Sequence, residues 1–131
     1  MAEKSLNKLQ LIGRIGATPE IRYTQDQKAV ANFTLATSES WNDKEGLEHS
    51  ETEWHRVVVF GALAESVVQK YLDKGSRIFL EGKLKTKEWN DKENQKRFTT
   101  EVIIDQFNGQ ILMLDGPNRN SESEDKLKKA S

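Results

Sequence analysis

Alternating apolar and polar residues, the period of a β-strand, recur through most of this chain. The alternation predicts strands at residues 6–16, 20–24, 29–37, 53–60, 77–89, 98–104 and 110–114. Short polar or glycine-containing segments between the strands predict turns, and the longer polar segment at residues 42–52 predicts a loop. The chain is therefore expected to be mainly β.

One segment has a different period. From residue 62 to residue 74 the apolar side chains recur at helical spacing, and Gly75 supplies a C-terminal cap. The apolar face of this α-helix is formed by Leu63, Val67, Val68, Tyr71 and Leu72. One helix between the third and fourth of five main strands is the order of a five-stranded Greek-key barrel of the oligonucleotide/oligosaccharide-binding type, the OB fold.

Residues 53–60 place their side chains on two unlike faces. Val57 and Val59 form an apolar face that is expected to point into the barrel, as are Phe33 and Leu35 of the preceding strand. The other face carries Trp54, Arg56, Val58 and Phe60. Because two aromatics and a cation share it, this face is not expected to belong wholly to the core.

Each of the three tryptophans stands beside polar or charged residues rather than within an apolar run. The indoles of Trp41, Trp54 and Trp89 are therefore expected to be at least partly exposed. The strand face that ends at Trp89 also carries Lys83, Lys85 and Lys87. Exposed aromatic rings beside cations are what a protein needs to stack unpaired bases while it holds a phosphate backbone.

Composition excludes several classes of protein. The chain has 131 residues, a formal net charge of −1 and no cysteine, so we expect one domain without disulfides or thiolate metal sites. It has no apolar run of membrane-spanning length and no visible secretory signal. Since no Gly-rich phosphate loop, nucleophile motif or metal-ligand spacing is present either, neither catalysis nor a cofactor is expected.

The distribution of charge is uneven. Between residues 83 and 97 six basic residues stand against three acidic ones. Such a local surplus attracts phosphates even on a nearly neutral protein, although by charge alone a solvated hairpin tip is equally consistent. Residues 115–131 have one leucine, no aromatic residue and balanced charges, which predicts a disordered tail after a domain at residues 1–114. No internal repeat is apparent.

Nine short motifs, taken in order and spacing, resemble the bacterial single-stranded-DNA-binding proteins. They are LNK at 6–8, LIGRIG at 11–16, PEIRY at 19–23, AVAN at 29–32, LATSESW at 35–41, TEWHRVVVFG at 52–61, YLDKGS at 71–76, EGKL at 81–84 and TTEV at 99–102. Together they make the resemblance specific across about residues 5–114. It implies an OB-fold barrel, assembled as a homotetramer, that binds single-stranded DNA with little sequence preference in replication, recombination and repair.

Roles for individual residues follow from the same resemblance. The stacking residues would be Trp41, Trp54, Phe60 and Trp89. The cations that contact phosphates would be Lys8, Arg22, Lys44, Arg56, Lys74, Lys85, Lys87 and Arg97. His55 matches a histidine of the family's subunit interface, and Gly16 matches a structural glycine. The family works in the bacterial cytoplasm on nucleoid DNA.

One residue and the C-terminal segment depart from the family pattern. Ala62 stands where many members have lysine, so one phosphate contact is expected to be missing. The family commonly ends in an acidic tip that closes with Pro-Phe and docks replication and repair proteins, whereas this chain ends in DKLKKAS. Recruitment of protein partners by that route is therefore not expected.

Three other functions stay open at this point: a barrel that binds proteins, a metal-dependent nuclease, and a barrel that prefers RNA. The residues do not distinguish a chromosomal protein from a plasmid, phage or mobile-element copy. They also leave Phe60 open to a second interpretation, because a phenylalanine at the end of an apolar strand is often part of the core.

Overall fold

The computed structural model describes residues 3–105 and 109–115. Within these ranges the chain forms seven strands and one short helix, Ala64–Gln69, which lies between the fourth and fifth strands. The strands are β1 (Leu9–Ile15), β2 (Glu20–Tyr23), β3 (Ala29–Asn42), β4 (Glu48–Phe60), β5 (Arg77–Asn90), β6 (Lys96–Ile104) and β7 (Gln110–Met113).

Five of the strands close into a barrel. Antiparallel pairing joins β1 to β3, β3 to β4, β6 to β5 and β5 back to β1. Parallel pairing of β4 with β6 completes the ring, while the short strands β2 and β7 extend it beside β3 and β5. The predicted five-stranded OB barrel is confirmed, with the helix between the third and fourth of the five barrel strands.

The barrel interior is formed by the strand faces that the alternation predicted. Phe33 and Leu35 of β3 are buried, and Val57 and Val59 of β4 are buried opposite them. Further buried side chains come from the other barrel strands and from the helix: Ile15, Ile78, Leu80, Val102, Ile104, Ala64 and Val68. Burial of these side chains supplies most of the free energy that holds the barrel closed.

The helix is shorter than predicted and is wound differently. We expected an α-helix at residues 62–74, but Ala64–Gln69 form a π-helix, and helical residues flank it only from 62 to 71. The wider π turn shifts later residues around the helix axis, so Val68 and Leu72 are buried while Tyr71 is exposed. Within the described residues, no helix is long and apolar enough to cross a membrane.

The prediction of a loop at residues 42–52 is wrong. β3 continues to Asn42 and β4 begins at Glu48, so the two strands form a long hairpin that projects beyond the barrel. Cross-strand polar contacts replace core packing there; for example, the hydroxyls of Ser38 and Thr52 lie 3.0 Å apart. Because both faces of the projecting hairpin are solvated, the sequence has no apolar alternation to reveal it.

The fold extends one residue into the predicted tail. One carboxylate oxygen of Asp115 accepts a hydrogen bond of 2.9 Å from the backbone N–H of Arg77, which ties residue 115 to the barrel. Residues 116–131 lie outside the described residues, so the domain boundary and the disordered tail stay predictions.

Candidate nucleic-acid interface

The first part of the candidate interface lies on β4. Strand alternation turns Trp54, Arg56 and Phe60 away from the barrel interior, because Val57 and Val59 point into it. Trp54 is 58% exposed and Phe60 is 40% exposed. Large aromatic side chains that stay this exposed on a barrel strand are available to contact a partner molecule.

The same face continues through β6 to β5. Val58 pairs with Ile103 of β6, and Ile103 pairs in turn with Lys83 of β5, so all three side chains are on the outside of the barrel. The alternation on β5 then places Lys85, Lys87 and Trp89 on this outside as well. We call this surface the outer sheet face; it is formed by the outward side chains of β2, β3, β4 and β6 and of the part of β5 that pairs with β6, Lys83 to Asn90.

Arg22 extends the outer sheet face at the opposite end. Arg22 of β2 pairs with Val30 of β3, and Val30 pairs with Phe60 of β4. The guanidinium of Arg22 donates to the Glu20 carboxylate at 3.1 Å, and both side chains stay mostly exposed. A row of cations therefore accompanies the aromatics from β2 to β5.

Gly16 lies directly beneath the indole of Trp54. A Cβ atom at position 16 would lie only 2.4 Å from Cζ3 of Trp54 and 3.0 Å from Oγ1 of Thr34. The missing side chain thus lets the indole approach the backbone at the end of β1. The structural glycine that the resemblance implied has a specific physical task here, which is to seat Trp54.

Replacement of Gly16 by alanine is expected to displace the Trp54 indole. If Trp54 stacks a base, as the resemblance implies, the substitution weakens single-strand binding by about fivefold or more, since one base stack is worth about 1–3 kcal/mol. Equilibrium titration with oligo(dT) measures this loss. In a Trp54→Ala background the same substitution should cost almost nothing further. An equal loss in both backgrounds would show that Gly16 acts independently of Trp54.

Trp89 is held near the end of the β5–β6 hairpin. Its Nε1–H donates a 2.8 Å hydrogen bond to Oγ1 of Thr99, and its cross-strand neighbour is Arg97. Trp89 is 46% exposed, so the bond fixes the ring without covering it. Arg97 donates from Nε to Asp91 at 2.9 Å, which ties the guanidinium to the hairpin turn.

Trp41 stands on a different face from the other three aromatics. Two-residue steps along β3 connect Leu35, which is inside the barrel, with Trp41, so Trp41 continues the inner face of the β3–β4 hairpin. Its ring stacks on His49 with centroids 5.7 Å apart and planes inclined by 19°. The four predicted stacking residues are therefore not a single platform, and sequence reasoning gave His49 no role.

The remaining predicted cations are scattered. Lys8 precedes β1 and pairs with Glu81 at 3.3 Å, on the side of the barrel formed by β1, β5 and β7. Lys44 lies in the turn of the β3–β4 hairpin. Lys74 precedes Gly75, whose N–H donates to the carbonyl of Ile15. This bond brings Lys74 near Gly16, the residue beneath the Trp54 indole. Of the three, Lys44 and Lys74 lie close to candidate stacking residues.

His55 faces away from the outer sheet face. It is half-buried, and its Nε2 lies 2.9 Å from the hydroxyl of Thr37. It borders a cleft of about 540 Å³ between β4 and β6, where the two hairpins diverge. Apolar side chains line the same cleft: Leu9, Leu84, Phe98 and Val102. Trp54 and Arg56 also line the cleft, so it borders the outer sheet face.

An aspartate organises each hairpin turn. Oδ1 of Asp91 accepts hydrogen bonds of 2.9 Å from the backbone N–H groups of Glu93 and Gln95. The bond from Gln95, followed by the bond from the Arg97 guanidinium, lowers the pKa of Asp91 below its ordinary value. Asp43 has a lowered pKa for a similar reason, with the bond from His49 first and that from Leu47 next.

The Asp91 turn is expected to open in acid. Because its folded pKa is lowered, the stabilisation is complete above the ordinary aspartate pKa of about 3.9 and is lost as the pH falls through the lower value. Asp91→Ala should remove most amide protection at Gln95 at neutral pH and abolish the acid dependence. Hydrogen-exchange NMR measures this; Asp26→Ala, in the β2–β3 turn, is the control. Unchanged protection in Asp91→Ala would contradict the assignment.

Within residues 3–105 and 109–115, no three histidine, aspartate or glutamate side chains are grouped as a metal site. The outer sheet face carries exposed aromatic rings and cations. Such a surface can stack planar rings and attract anions.

Comparison with known proteins places this surface in context. The Single-strand binding protein family matches residues 6–110. A single-stranded DNA-binding protein of Rickettsia felis is 48% identical over 122 residues, which cover 92% of this chain and 80% of the relative. The corresponding protein of Rickettsia typhi is 46% identical over 121 residues, with the same coverage of both chains.

A solved structure is also similar to this chain. It is that of a Plasmodium falciparum SSB complex with ssDNA, with a TM-score of 0.79 and 40% sequence identity. The match covers 88% of this chain and all of the other. The similarity thus extends over the whole barrel and both hairpins.

Proposed function

The chain belongs to the single-strand binding protein family, and we propose that it binds single-stranded DNA by stacking bases on Trp54, Phe60 and Trp89 of the outer sheet face. Its function is the sequence-independent binding of single-stranded DNA, and it is not an enzyme. Trp41 adds a fourth stacking site on the inner face of the β3–β4 hairpin.

One observation carries the proposal. Three large aromatics, between 40% and 58% exposed, lie on one continuous sheet face that also carries Arg22, Arg56 and Lys85. If these rings contributed only to the stability of the barrel, burying them would stabilise the fold more than leaving them exposed does. Base–aromatic contacts do not depend on which base is present, because every base has a flat face. This arrangement supports binding with little sequence preference.

The cations supply the second component of binding. The proposed phosphate contacts are Lys8, Arg22, Lys44, Arg56, Lys74, Lys85, Lys87 and Arg97. Each contact to a single strand releases condensed counterions, so together they set the salt dependence of binding. Lys87 lies 3.4 Å from Glu101, so it exchanges one ionic partner for another when a phosphate approaches.

Binding of oligo(dT) tests the proposal. Base stacking on the tryptophans is expected to quench the intrinsic fluorescence strongly, and competition by duplex DNA should be weak. Competition between poly(dT) and poly(U) tests the alternative of an RNA-preferring barrel. If poly(U) displaces the labelled oligo(dT) at lower concentration than poly(dT) does, the DNA assignment is wrong. Degradation of the oligonucleotide with a divalent metal would instead show a nuclease.

In the cell, we propose that the protein coats exposed single strands in the cytoplasm, on nucleoid DNA, during replication, recombination and repair. Rings stacked between bases prevent the strand from re-pairing, and the covered backbone is shielded from nucleases. The alternative role, a barrel that chiefly binds proteins, predicts a pull-down that survives nuclease treatment and does not require the tryptophans.

We further propose that four chains assemble through surfaces other than the outer sheet face. Ile12, Phe79 and Leu112 pair across β1, β5 and β7 and point outward, with Ile12 and Leu112 each 51% exposed. The second surface is the side of the cleft formed by His55, Leu84, Phe98 and Val102; Trp54 and Arg56, which also line the cleft, lie on the outer sheet face. Covering both with copies of the same chain would bury apolar area and link several DNA surfaces, which raises the effective concentration for a long strand.

Leu112→Arg is expected to dissociate the assembly, because it places an unpaired charge in an apolar contact. Leu47→Arg is the matched control, since Leu47 is 60% exposed in the turn between β3 and β4. Sedimentation with and without dT oligomers of graded length gives the subunit number and the stoichiometry. An unchanged sedimentation coefficient for Leu112→Arg would exclude this surface from the interface.

A further inference from the structure

The tips of the two long hairpins begin with the same five residues. Residues 41–45 at the end of β3 and residues 89–93 at the end of β5 both read WNDKE. The expectation that the chain has no internal repeat is therefore wrong on this short scale. Each residue of one tip therefore corresponds to the same residue in the other tip.

The two tips also share their backbone geometry. Oδ1 of Asp43 accepts bonds of 2.9 Å from the N–H groups of Glu45 and Leu47, two and four residues later. Oδ1 of Asp91 accepts the equivalent two bonds, also at 2.9 Å. The residue after WNDKE has a positive φ in each tip, 83° at Gly46 and 63° at Asn94.

The correspondence extends to the residue six places after the aspartate. Oδ2 of Asp91 accepts from Nε of Arg97 at 2.9 Å, and Oδ2 of Asp43 lies 2.8 Å from Nε2 of His49. His49 and Arg97 also stand directly across from Trp41 and Trp89 in their hairpins. Each tip therefore places an indole across from a basic side chain that contacts the turn aspartate, although the Trp41 ring stacks on His49 whereas Trp89 donates to Thr99.

The two basic side chains differ in their chemistry. A guanidinium is always charged, and when it is bound through Nε it retains two further nitrogen atoms with donors for a phosphate. A histidine changes its charge between about pH 5 and 8. Arg97 thus offers a permanent cation to DNA, whereas His49 is a cation only when its imidazole is protonated.

Asp43 determines what the neutral form of His49 can do. The lowered pKa of Asp43 keeps its carboxylate ionised, and an ionised carboxylate only accepts hydrogen bonds. Nε2 of His49 must then carry the hydrogen, which leaves Nδ1 as a lone-pair acceptor that cannot bond a phosphate oxygen. Protonation places a hydrogen on Nδ1 and turns this atom into a charged donor.

The other charged groups near His49 are mainly acidic. Glu39 and Glu51 stand opposite each other in the β3–β4 register, on the same face as His49 and Trp41. Lys44 and Glu45 lie in the turn, and Glu48 precedes His49 on β4. With a neutral imidazole the tip therefore presents a negative surface to a phosphate, and the proton on His49 is what reduces the repulsion.

We propose that the β3–β4 tip is a proton-dependent copy of the β5–β6 tip, in which His49 binds a DNA phosphate beside Trp41 as Arg97 does beside Trp89. This assignment rests on the proposed function, because it adds a DNA-contacting residue to the same protein. Binding of single-stranded DNA is then coupled to proton uptake by His49. Lys92, which corresponds to Lys44, becomes a further phosphate contact at the other tip.

The test compares the affinity for oligo(dT) at about pH 6 and about pH 8. The oligonucleotide carries a fluorescent dye that does not titrate in this range. The wild-type protein is expected to bind about threefold more tightly at the lower pH, the size of one exposed charge contact. His49→Arg should bind equally at both values, with the affinity of the wild type at low pH. His49→Gln should bind at both pH values with the affinity that the wild type has at the higher pH.

Arg97→His is the reciprocal variant. It gives the β5–β6 tip the basic residue of the other tip, so it should add a second pH dependence of similar size. The two substitutions exchange residues that the same turn already accommodates, and both variants are therefore expected to fold. Calorimetry in two buffers of different ionisation enthalpy measures the proton uptake directly, which His49→Arg should reduce.

The outcomes separate this inference from the proposed function. If the wild type binds oligo(dT) but His49→Arg keeps the wild-type pH dependence, the inference is wrong and the proposed function stands. The same holds if Arg97→His adds no pH dependence. If the wild type does not bind oligo(dT) at either pH, the proposed function fails and the inference falls with it.

Discussion

Combined replacement of Trp54 and Trp89 by alanine is expected to weaken oligo(dT) binding at about 0.3 M salt by at least about thirtyfold. Stacking of a base on an aromatic side chain is worth about 1–3 kcal/mol in single-strand-binding OB folds, the class to which this chain belongs. Two such contacts sum to about 2–6 kcal/mol if they are independent, and the two residues lie on different strands of the outer sheet face.

Lys85→Ala is the matched control for this experiment, because Lys85 lies on the same face of β5, four residues before Trp89. An exposed charge contact is worth about 0–1 kcal/mol, so the loss should stay within about fivefold at the same salt concentration. Removal of one phosphate contact should also reduce the slope of log affinity against log salt by about 0.7. The tryptophan variant should keep the wild-type slope. Equal losses from the double tryptophan variant and from Lys85→Ala would contradict this division between stacking and charge.

Leu80→Ala is expected to lower the free energy of unfolding by about 2–5 kcal/mol. Leu80 is fully buried on β5, where it pairs with Leu11 of β1 and Ile111 of β7, so truncation leaves a cavity inside the closed barrel. The folded fraction should still bind oligo(dT) with wild-type affinity, because the outer sheet face is unchanged. Urea denaturation at a fixed protomer concentration measures the loss.

Leu47→Ala serves as the control for that substitution. Leu47 lies in an exposed turn, and truncation there should change stability by no more than about 0.5 kcal/mol. Similar destabilisation by both substitutions would mean that Leu80 is not part of the barrel core. A loss of DNA affinity in the folded Leu80→Ala protein would mean that core packing controls the outer sheet face.

The barrel was predictable from the sequence because its strands have one buried face and one solvated face. Val57 and Val59 alternate with Trp54, Arg56 and Phe60, and this pattern both located β4 and marked its outward side. The helix was predictable in place but not in length, since the periodicity of apolar residues does not distinguish a π-helical turn from an α-helical one. Tyr71 was assigned to the buried face for this reason.

The projecting β3–β4 hairpin could not be predicted in the same way. Outside the barrel neither face of β3 or β4 is buried, so polar residues such as Ser38 and Thr52 pair as strands without any apolar signal. The position of Trp41 on the inner face also depends on the register between Leu35 and the end of β3. That register is set by the pairing of residues 38–42 with residues 48–52, most of which the sequence assigned to a loop.

The tip repeat illustrates a different limit. The two WNDKE segments are identical in sequence, but their equivalence depends on His49 and Arg97, which occupy corresponding places without being similar residue types. A sequence signal was present in the paired pentapeptides. Its physical meaning came from the hydrogen bonds of Asp43 and Asp91.

The central claim is that exposed indole rings contact the bases directly. NMR of the indole Nε1–H groups of the three tryptophans, during titration with oligo(dT), tests it most directly. We expect the signals of Trp54, Trp89 and Trp41 all to shift or broaden as the DNA is added, at about 0.3 M salt, where charge contacts are weakened. If backbone signals near Lys85 and Arg56 change while the three indole signals stay fixed, the DNA is held by charge alone and the stacking account is wrong.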